Sequence, residues 1–183
     1  MSERESEPLR GEQPAGEALA RMIRVDHAGE YGAVRIYAGQ RAVLGRGAKA
    51  ALLAHMAEQE RQHLEAFSDL LVRRRVRPTV LLPLWNLAGF ALGAATAALG
   101  ERAAMACTVA VEEAIDAHYA AQETALADSE AEVSGLIAHC RTEEREHRDI
   151  GLAHGAEQAP GYRLLSAAIK AGCRVAIRLS ERI

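Results

Sequence analysis

The chain has 183 residues, enough for one domain with a substantial core, and its net charge of −3 gives no reason to expect a nucleic-acid partner. Aromatics are scarce at 4%, alanine is abundant, and five prolines at positions 8, 14, 78, 83 and 160 leave two long uninterrupted tracts. These features argue against a β-sandwich and predict an all-α protein. Cys107, Cys140 and Cys173 are odd in number and form no C-x-x-C pair. They read as small core residues in a reducing compartment.

Residues 1–16 carry acids, prolines and glycines without an apolar pattern, so a disordered tail is expected there, with one helical domain over 17–183. No apolar run follows Met1, and Glu3, Glu5 and Glu7 are acidic; neither a secretory signal nor a mitochondrial transit peptide is expected.

The first predicted helix covers 17–44 and ends before Gly45-Arg46-Gly47, an expected C-cap. Ile23, His27, Glu30, Val34 and Tyr37 follow its 3–4 spacing. A second, over 48–76, carries Leu53, Met56, Glu60, His63, Phe67 and Leu70 on one stripe, and Arg73, Arg74, Arg75 and Arg77 close it with charge that suits the dipole. From Thr79 to Gly100 there is no ionisable side chain. That length is compatible with a membrane span. Pro83, Asn86 and the many small residues make it only weakly hydrophobic, however, and it is expected to lie as a crossover helix on the bundle, on a membrane surface, or on both.

A helix over 101–127 follows, with Met105, Thr108, Glu112, Ile115, Tyr119 and Leu126 on one stripe, and then a helix over 129–154 with Val133, Ile137, Cys140, Glu144, His147 and Gly151. Pro160-Gly161 opens a last helix running to Ile183. It has an apolar side (Leu164, Leu165, Ile169, Val175) and basic residues Lys170, Arg174 and Arg178, an amphipathic pattern suited to an anionic membrane surface.

The two halves repeat one pattern. Glu30 precedes Glu60-x-x-His63, and Glu112 precedes Glu144-x-x-His147, at nearly equal separations. A carboxylate and an imidazole three apart on a helix face can grip one metal ion. A single E-x-x-H is usually a solvated face. Two copies on apolar stripes, each with an upstream glutamate, are the ligand set of a di-iron or di-manganese carboxylate bundle. Four buried glutamates need compensation, and two divalent ions with neutral histidines balance them. Oxygen and imidazole donors suit iron or manganese better than structural zinc.

Glu112 is chosen over Glu113 because it shares a stripe with Thr108 and Ile115, and Glu144 over Glu143 because His147 follows at i+3. Asp26, Asp116 and Asp149 lie within a turn of ligands and could orient imidazoles, although each taken singly reads as an exposed helix acid. His118 and Tyr119 sit two turns beyond Glu112; Tyr119 is equally a residue acting near the metals and a core tyrosine. His27 is read as core or supporting rather than as a seventh ligand, and His55, His139 and His154 as structural.

Met22-Ile-Arg-Val-Asp-His-Ala-Gly-Glu-Tyr-Gly32, Arg77-Pro-Thr-Val80, Pro83-Leu-Trp-Asn86, Met105-Ala-Cys-Thr-Val-Ala-Val-Glu-Glu113 and Ala171-Gly-Cys-Arg-Val-Ala-Ile177 resemble the demethoxyubiquinone hydroxylase family of ubiquinone biosynthesis. The likeness covers about residues 20–183. It implies a ferritin-like four-helix bundle with an apolar crossover and a C-terminal amphipathic helix. It also implies a di-iron monooxygenase hydroxylating a demethoxyubiquinone or its quinol with O2, with Glu30, Glu60, His63, Glu112, Glu144 and His147 as ligands. In that family a His-Tyr pair, matched by His118 and Tyr119, is implicated in electron entry. No G-x-G-x-x-G or flavin motif is present, so electrons are expected from the quinol, from directly bound NADH or from a partner protein of ubiquinone biosynthesis. The acidic N-terminus points to a peripheral protein on the cytoplasmic face of a bacterial membrane, or on the matrix side of the mitochondrial inner membrane if the source is eukaryotic. The rival from another class is an iron-storage or metal-buffering bundle; a non-catalytic membrane scaffold would leave the ligand set unexplained.

Overall fold

The computed structural model describes residues 16–126 and 130–182, and of the tail expected at 1–16 all but Gly16 lies outside them. Six α-helices make up the described fold: α1 (Glu17–Leu44), α2 (Ala50–Arg73), α3 (Leu82–Ala98), α4 (Glu101–Leu126), α5 (Ala131–Ala153) and α6 (Tyr162–Ser180), with a 3-10 turn at Ala156–Gln158 before α6. No strand occurs among the described residues, and the architecture is the ferritin-like bundle.

Side-chain pairings fix the helix directions. Tyr37 meets Met56 across α1 and α2. Gln40 meets Thr108, and Tyr119 meets Glu30, across α1 and α4. His63 meets Glu143 across α2 and α5. Every one of these pairs is antiparallel. The α3 crossover returns the chain along α1, so α4 can start at the end of the bundle where α1 finishes.

Small residues allow α3 to lie on α1 almost backbone to backbone. A Cβ on Gly93 would sit 1.9 Å from the Ile36 carbonyl oxygen, and one on Gly39 would sit 2.2 Å from that of Phe90. Gly89 and Gly93, four apart, thus form a flat strip on α3 against Gly32, Ile36 and Gly39 of α1. The amphipathic α6 packs on α4, where Ile169 joins a cluster with Cys107, Ala110 and Val111. Lys170 forms an ion pair with Glu113 of α4.

Two helix ends differ from the sequence reading. Helix α2 stops at Arg73, not at 76, because Arg75 takes a left-handed φ of 54° and Val76 turns inward, its N–H bonding Leu71 O at 2.9 Å. That six-to-one bond is a Schellman closure with arginine in place of glycine. Gly45 does cap α1, but with a right-handed φ of −65°.

The α1–α3 contact predicts opposite outcomes for two glycines. Gly93→Ala should lower stability by about 1–3 kcal/mol through overpacking. Gly135→Ala, on an open face of α5 with nothing within 4 Å of its Cβ, should raise it by about 0.5–1 kcal/mol. Urea unfolding followed by circular dichroism reads both.

Candidate metal centre

Glu30, Glu60, His63, Glu112, Glu144 and His147 come from four helices and meet in the core, none more than 2% exposed. Their donor atoms fall into two overlapping quartets. Glu30, Glu60, His63 and Glu144 form one; Glu60, Glu112, Glu144 and His147 form the other; within each, the donor atoms lie within 4.8 Å of one another. Glu60 and Glu144 belong to both, so the cluster offers two adjoining cation positions with shared carboxylates. Eight of its buried atoms have no hydrogen-bond partner: Glu30 Oε2, both oxygens of Glu60 and of Glu144, Glu112 Oε2, and Nδ1 of His63 and of His147. Orphaned acceptors converging on one point fit a pair of hard or borderline cations.

The surroundings are reciprocal between the halves. Tyr37 of α1 donates to Glu112 Oε1 on α4 at 2.9 Å, while Tyr119 of α4 donates to Glu30 Oε1 on α1. Each tyrosine stands seven residues after the glutamate of its own helix. His63 Nε2 lies 2.6 Å from Glu143 Oε2, and His147 Nε2 lies 3.0 Å from Gln59 Oε1. Both Nδ1 atoms face the carboxylates: that of His63 is 3.4 Å from Glu30 and from Glu144, and that of His147 is 2.9 Å from Glu60.

Burial governs the ionisation of the cluster. Desolvation, followed by repulsion from neighbouring carboxylates, pushes Glu60 and Glu112 well above the ordinary carboxylate range and Glu144 up to about 8. The Tyr37 and Tyr119 hydroxyls are raised for the same two reasons and stay protonated as donors. Burial lowers His147, whereas at His63 the Glu144 and Glu30 carboxylates that face the ring outweigh burial and raise it.

Of the three acids considered for orienting imidazoles, each read singly as an exposed helix acid, none reaches a ligand imidazole. Asp26 is not exposed but buried; its Oδ1 lies 3.1 Å from His118 Nε2 and accepts from Gln122 at 2.7 Å. Asp116 pairs with Arg141, and Asp149 with Arg148. The imidazole partners are instead Gln59 and Glu143, and a signal for them existed, because each immediately precedes the glutamate of an E-x-x-H. Tyr37 was recognisable on its stripe, but its partner on another helix was not. Cys140 also comes within reach of Glu30 and His63, an approach that its core position alone did not reveal. His27 is buried near Glu30 as a core histidine.

Two clefts open on the bundle, and none of the six ligand residues lines either. The larger, about 510 Å³, is walled by α1, α3, α4 and α6 and is almost wholly apolar; Gly29 and Val111, next to Glu30 and Glu112 in sequence, line it. The other, about 460 Å³, has His118 and Gln122 in its wall with Arg21 and Arg182.

The profile of one protein family, described as ubiquinone biosynthesis protein COQ7, matches residues 17–180. A 3-demethoxyubiquinol 3-hydroxylase of Rhodospirillum rubrum is 56% identical over 176 residues, 96% of this chain and 83% of that protein. A human NADPH-dependent 3-demethoxyubiquinone 3-hydroxylase, mitochondrial, is 58% identical over 170 residues, covering 91% and 78%. The yeast 5-demethoxyubiquinone hydroxylase, mitochondrial, is 42% identical over 182 residues, covering 90% and 78%.

The raised carboxylates carry a pH prediction. Glu144 holds its proton in the folded state up to about 8, but in the unfolded chain only up to its ordinary value of 4.5. Between those values the native state binds more protons, so stability falls as pH rises. His63, also raised, acts in the same sense. The melting temperature of the metal-free protein should drop between pH 5 and pH 8.5, and Glu144→Gln should flatten that fall.

Proposed function

This chain belongs to the ubiquinone biosynthesis protein COQ7 family, and we propose that it hydroxylates the ring of a demethoxyubiquinone or its quinol with O2 at a di-iron centre. Glu30 and His63 would hold one iron, Glu112 and His147 the other, with Glu60 and Glu144 shared between them. The observation that carries the reading is the convergence of eight unpartnered carboxylate and imidazole atoms, in a bundle whose apolar cleft is lined by the sequence neighbours of Glu30 and Glu112. The rival reading, iron storage or metal buffering, gives that cleft no role.

Iron held there supplies the reduction of O2 that ring hydroxylation requires. One oxygen atom enters a ring C–H bond and the other leaves as water, which takes two electrons and two protons. A reduced nicotinamide nucleotide, NADH or NADPH, is the proposed donor class, in keeping with the name of the human relative. His118 and Tyr119 mark the side where electrons enter: His118 lines the polar cleft and Tyr119 holds Glu30. The two tyrosines keep Glu30 and Glu112 oriented while Glu60 and Glu144 remain free to change their mode of binding. The apolar cleft excludes water and admits the quinone, its polyprenyl tail lying along α3 and α6.

No helix among the described residues is long and apolar enough to cross a membrane. Exposed Val80, Leu84 and Leu87 by α3, and Leu164 and Val175 on α6, instead supply an apolar surface for docking on a bilayer. Trp85 and Phe90 face inward. Trp85 Nε1 donates to Ser180 Oγ at 3.1 Å, and Arg35 stacks 5.4 Å over Phe90. Lys170 is engaged by Glu113, which leaves Arg174 and Arg178 as the freer cations for anionic headgroups. The proposed location is peripheral, on the cytoplasmic face of a bacterial membrane or the matrix side of the mitochondrial inner membrane. Other ubiquinone-biosynthesis proteins are the proposed partners for passing the quinone along.

Anaerobically iron-loaded protein given a short-tailed demethoxyquinone, NADH and O2 should yield the hydroxylated ring, read by mass spectrometry. Glu144→Ala and His147→Ala should each lose product and bound iron while keeping helical circular dichroism; full turnover by either variant would refute the assignment. For the membrane surface, Leu87→Asp with Leu164→Asp should abolish liposome flotation and turnover of a long-tailed quinone while sparing the short-tailed one. If that variant still floats, docking lies elsewhere.

A further inference from the structure

The two halves of the cluster match ligand for ligand but differ in what holds each histidine. From this difference we infer that the metal position bounded by Glu30 and His63 is the tighter of the two, and that Glu143 makes it so. The inference rests on the ligand assignment proposed above and goes beyond it, because identical ligands alone would make the two positions alike.

The observations are the two imidazole hydrogen bonds. His63 Nε2 lies 2.6 Å from a carboxylate oxygen of Glu143, whereas His147 Nε2 lies 3.0 Å from the amide oxygen of Gln59. An ionised carboxylate only accepts, so His63 carries a proton on Nε2, and Nδ1 is the nitrogen that faces Glu30 and Glu144 and would bind the cation. On the other ring, Gln59 Oε1 is the acceptor, which places the proton of His147 on Nε2 and leaves Nδ1 facing Glu60. Two side chains outside the cluster, Glu143 for His63 and Gln59 for His147, therefore set the tautomer of one ring each.

The two supports are not alike in charge. A hydrogen bond to a carboxylate is shorter and stronger than one to a neutral amide, and it makes the imidazole a more basic donor. Glu143 is also 23% exposed, and although burial disfavours its charge, its partners, His63 first among them, keep it ionised beside a buried ring. Gln59 occupies the equivalent place on α2, immediately before Glu60, and carries no charge. Every other paired member of the cluster, Glu30 with Glu112, Tyr37 with Tyr119, Glu60 with Glu144, is chemically identical between the halves. The Glu143–Gln59 difference thus acts directly on a ligand imidazole through its hydrogen bond, and both residues are positioning residues.

Mutual repulsion of two cations would by itself give two binding steps, so the test compares variants. Mn2+ is titrated into the metal-free chain without oxygen, and free ion is followed by electron paramagnetic resonance. Wild type should bind two equivalents in two steps. Glu143→Gln should weaken the first step by about 10-fold or more, the usual effect of losing an outer hydrogen bond to a ligand. The double exchange Glu143→Gln with Gln59→Glu should restore a tight first step and move it to the other position. Single-ligand variants locate it: in wild-type background His147→Gln keeps the tight step and His63→Gln loses it, and in the double exchange this order reverses. An unchanged first step in Glu143→Gln, or a tight step that follows His147 in the wild-type background, overturns the inference while leaving the six ligands standing. Fewer than two equivalents bound by wild type, or two bound by Glu60→Ala with Glu144→Ala, overturns the ligand assignment and this inference with it.

Discussion

Four glutamates share one buried volume with two histidines, and the rest of the fold follows from that constraint. Two unit charges about 4 Å apart repel by about 4 kcal/mol at an effective dielectric constant of 20. A few such pairs would consume the whole stability of a domain, typically about 5–15 kcal/mol. The carboxylates must therefore hold protons or bind cations. The raised values of Glu60, Glu112 and Glu144 describe the first condition, and the ligand reading describes the second. Around them the apolar stripes of α1, α2, α4 and α5 supply the burial that keeps the acids together.

The two halves solve this problem by exchange. Each helix pair contributes three ligands, and the groups that hold those ligands come from the opposite pair: Tyr119 for Glu30, Tyr37 for Glu112, Glu143 for His63 and Gln59 for His147. Neither hairpin is complete alone. Such cross-holding ties the geometry of the site to the assembly of the bundle, and it needs a crossover that sets α4 antiparallel to α1. The glycine strip between α1 and α3 provides it. Where the halves differ, the differences have consequences: Gln40 bonds Thr108 on one side, whereas Gln122 bonds Asp26 and His118 beside a surface cleft on the other.

Much of this was legible in the chain. The 3–4 apolar spacing placed α1 at its observed ends, and the paired Glu and Glu-x-x-His pattern identified six side chains that do meet. Contacts between helices were not legible, because spacing along one helix says which face a residue occupies and nothing about what it meets. Hence Asp116 and Asp149, close to ligands in sequence, turn to Arg141 and Arg148, while Glu143 and Gln59 reach across to histidines on other helices. Trp85 and Phe90 are the large aromatic residues of the uncharged 79–100 stretch, and nothing in its spacing says that they are covered. The crossover buries much of both, and smaller Leu84 and Leu87 remain outside. Helix α2 ended early because a left-handed arginine is a tertiary choice, made so that Val76 can enter the core.

The central claim is that these six side chains hold two iron ions in one shared carboxylate cage. Iron-edge X-ray absorption on the anaerobically loaded protein tests it most directly. The account predicts two irons per chain, a first shell of oxygen and nitrogen only, and an iron–iron distance of about 3.5–4 Å. One iron per chain, no iron–iron scattering, or sulfur in the first shell from Cys140 would contradict it.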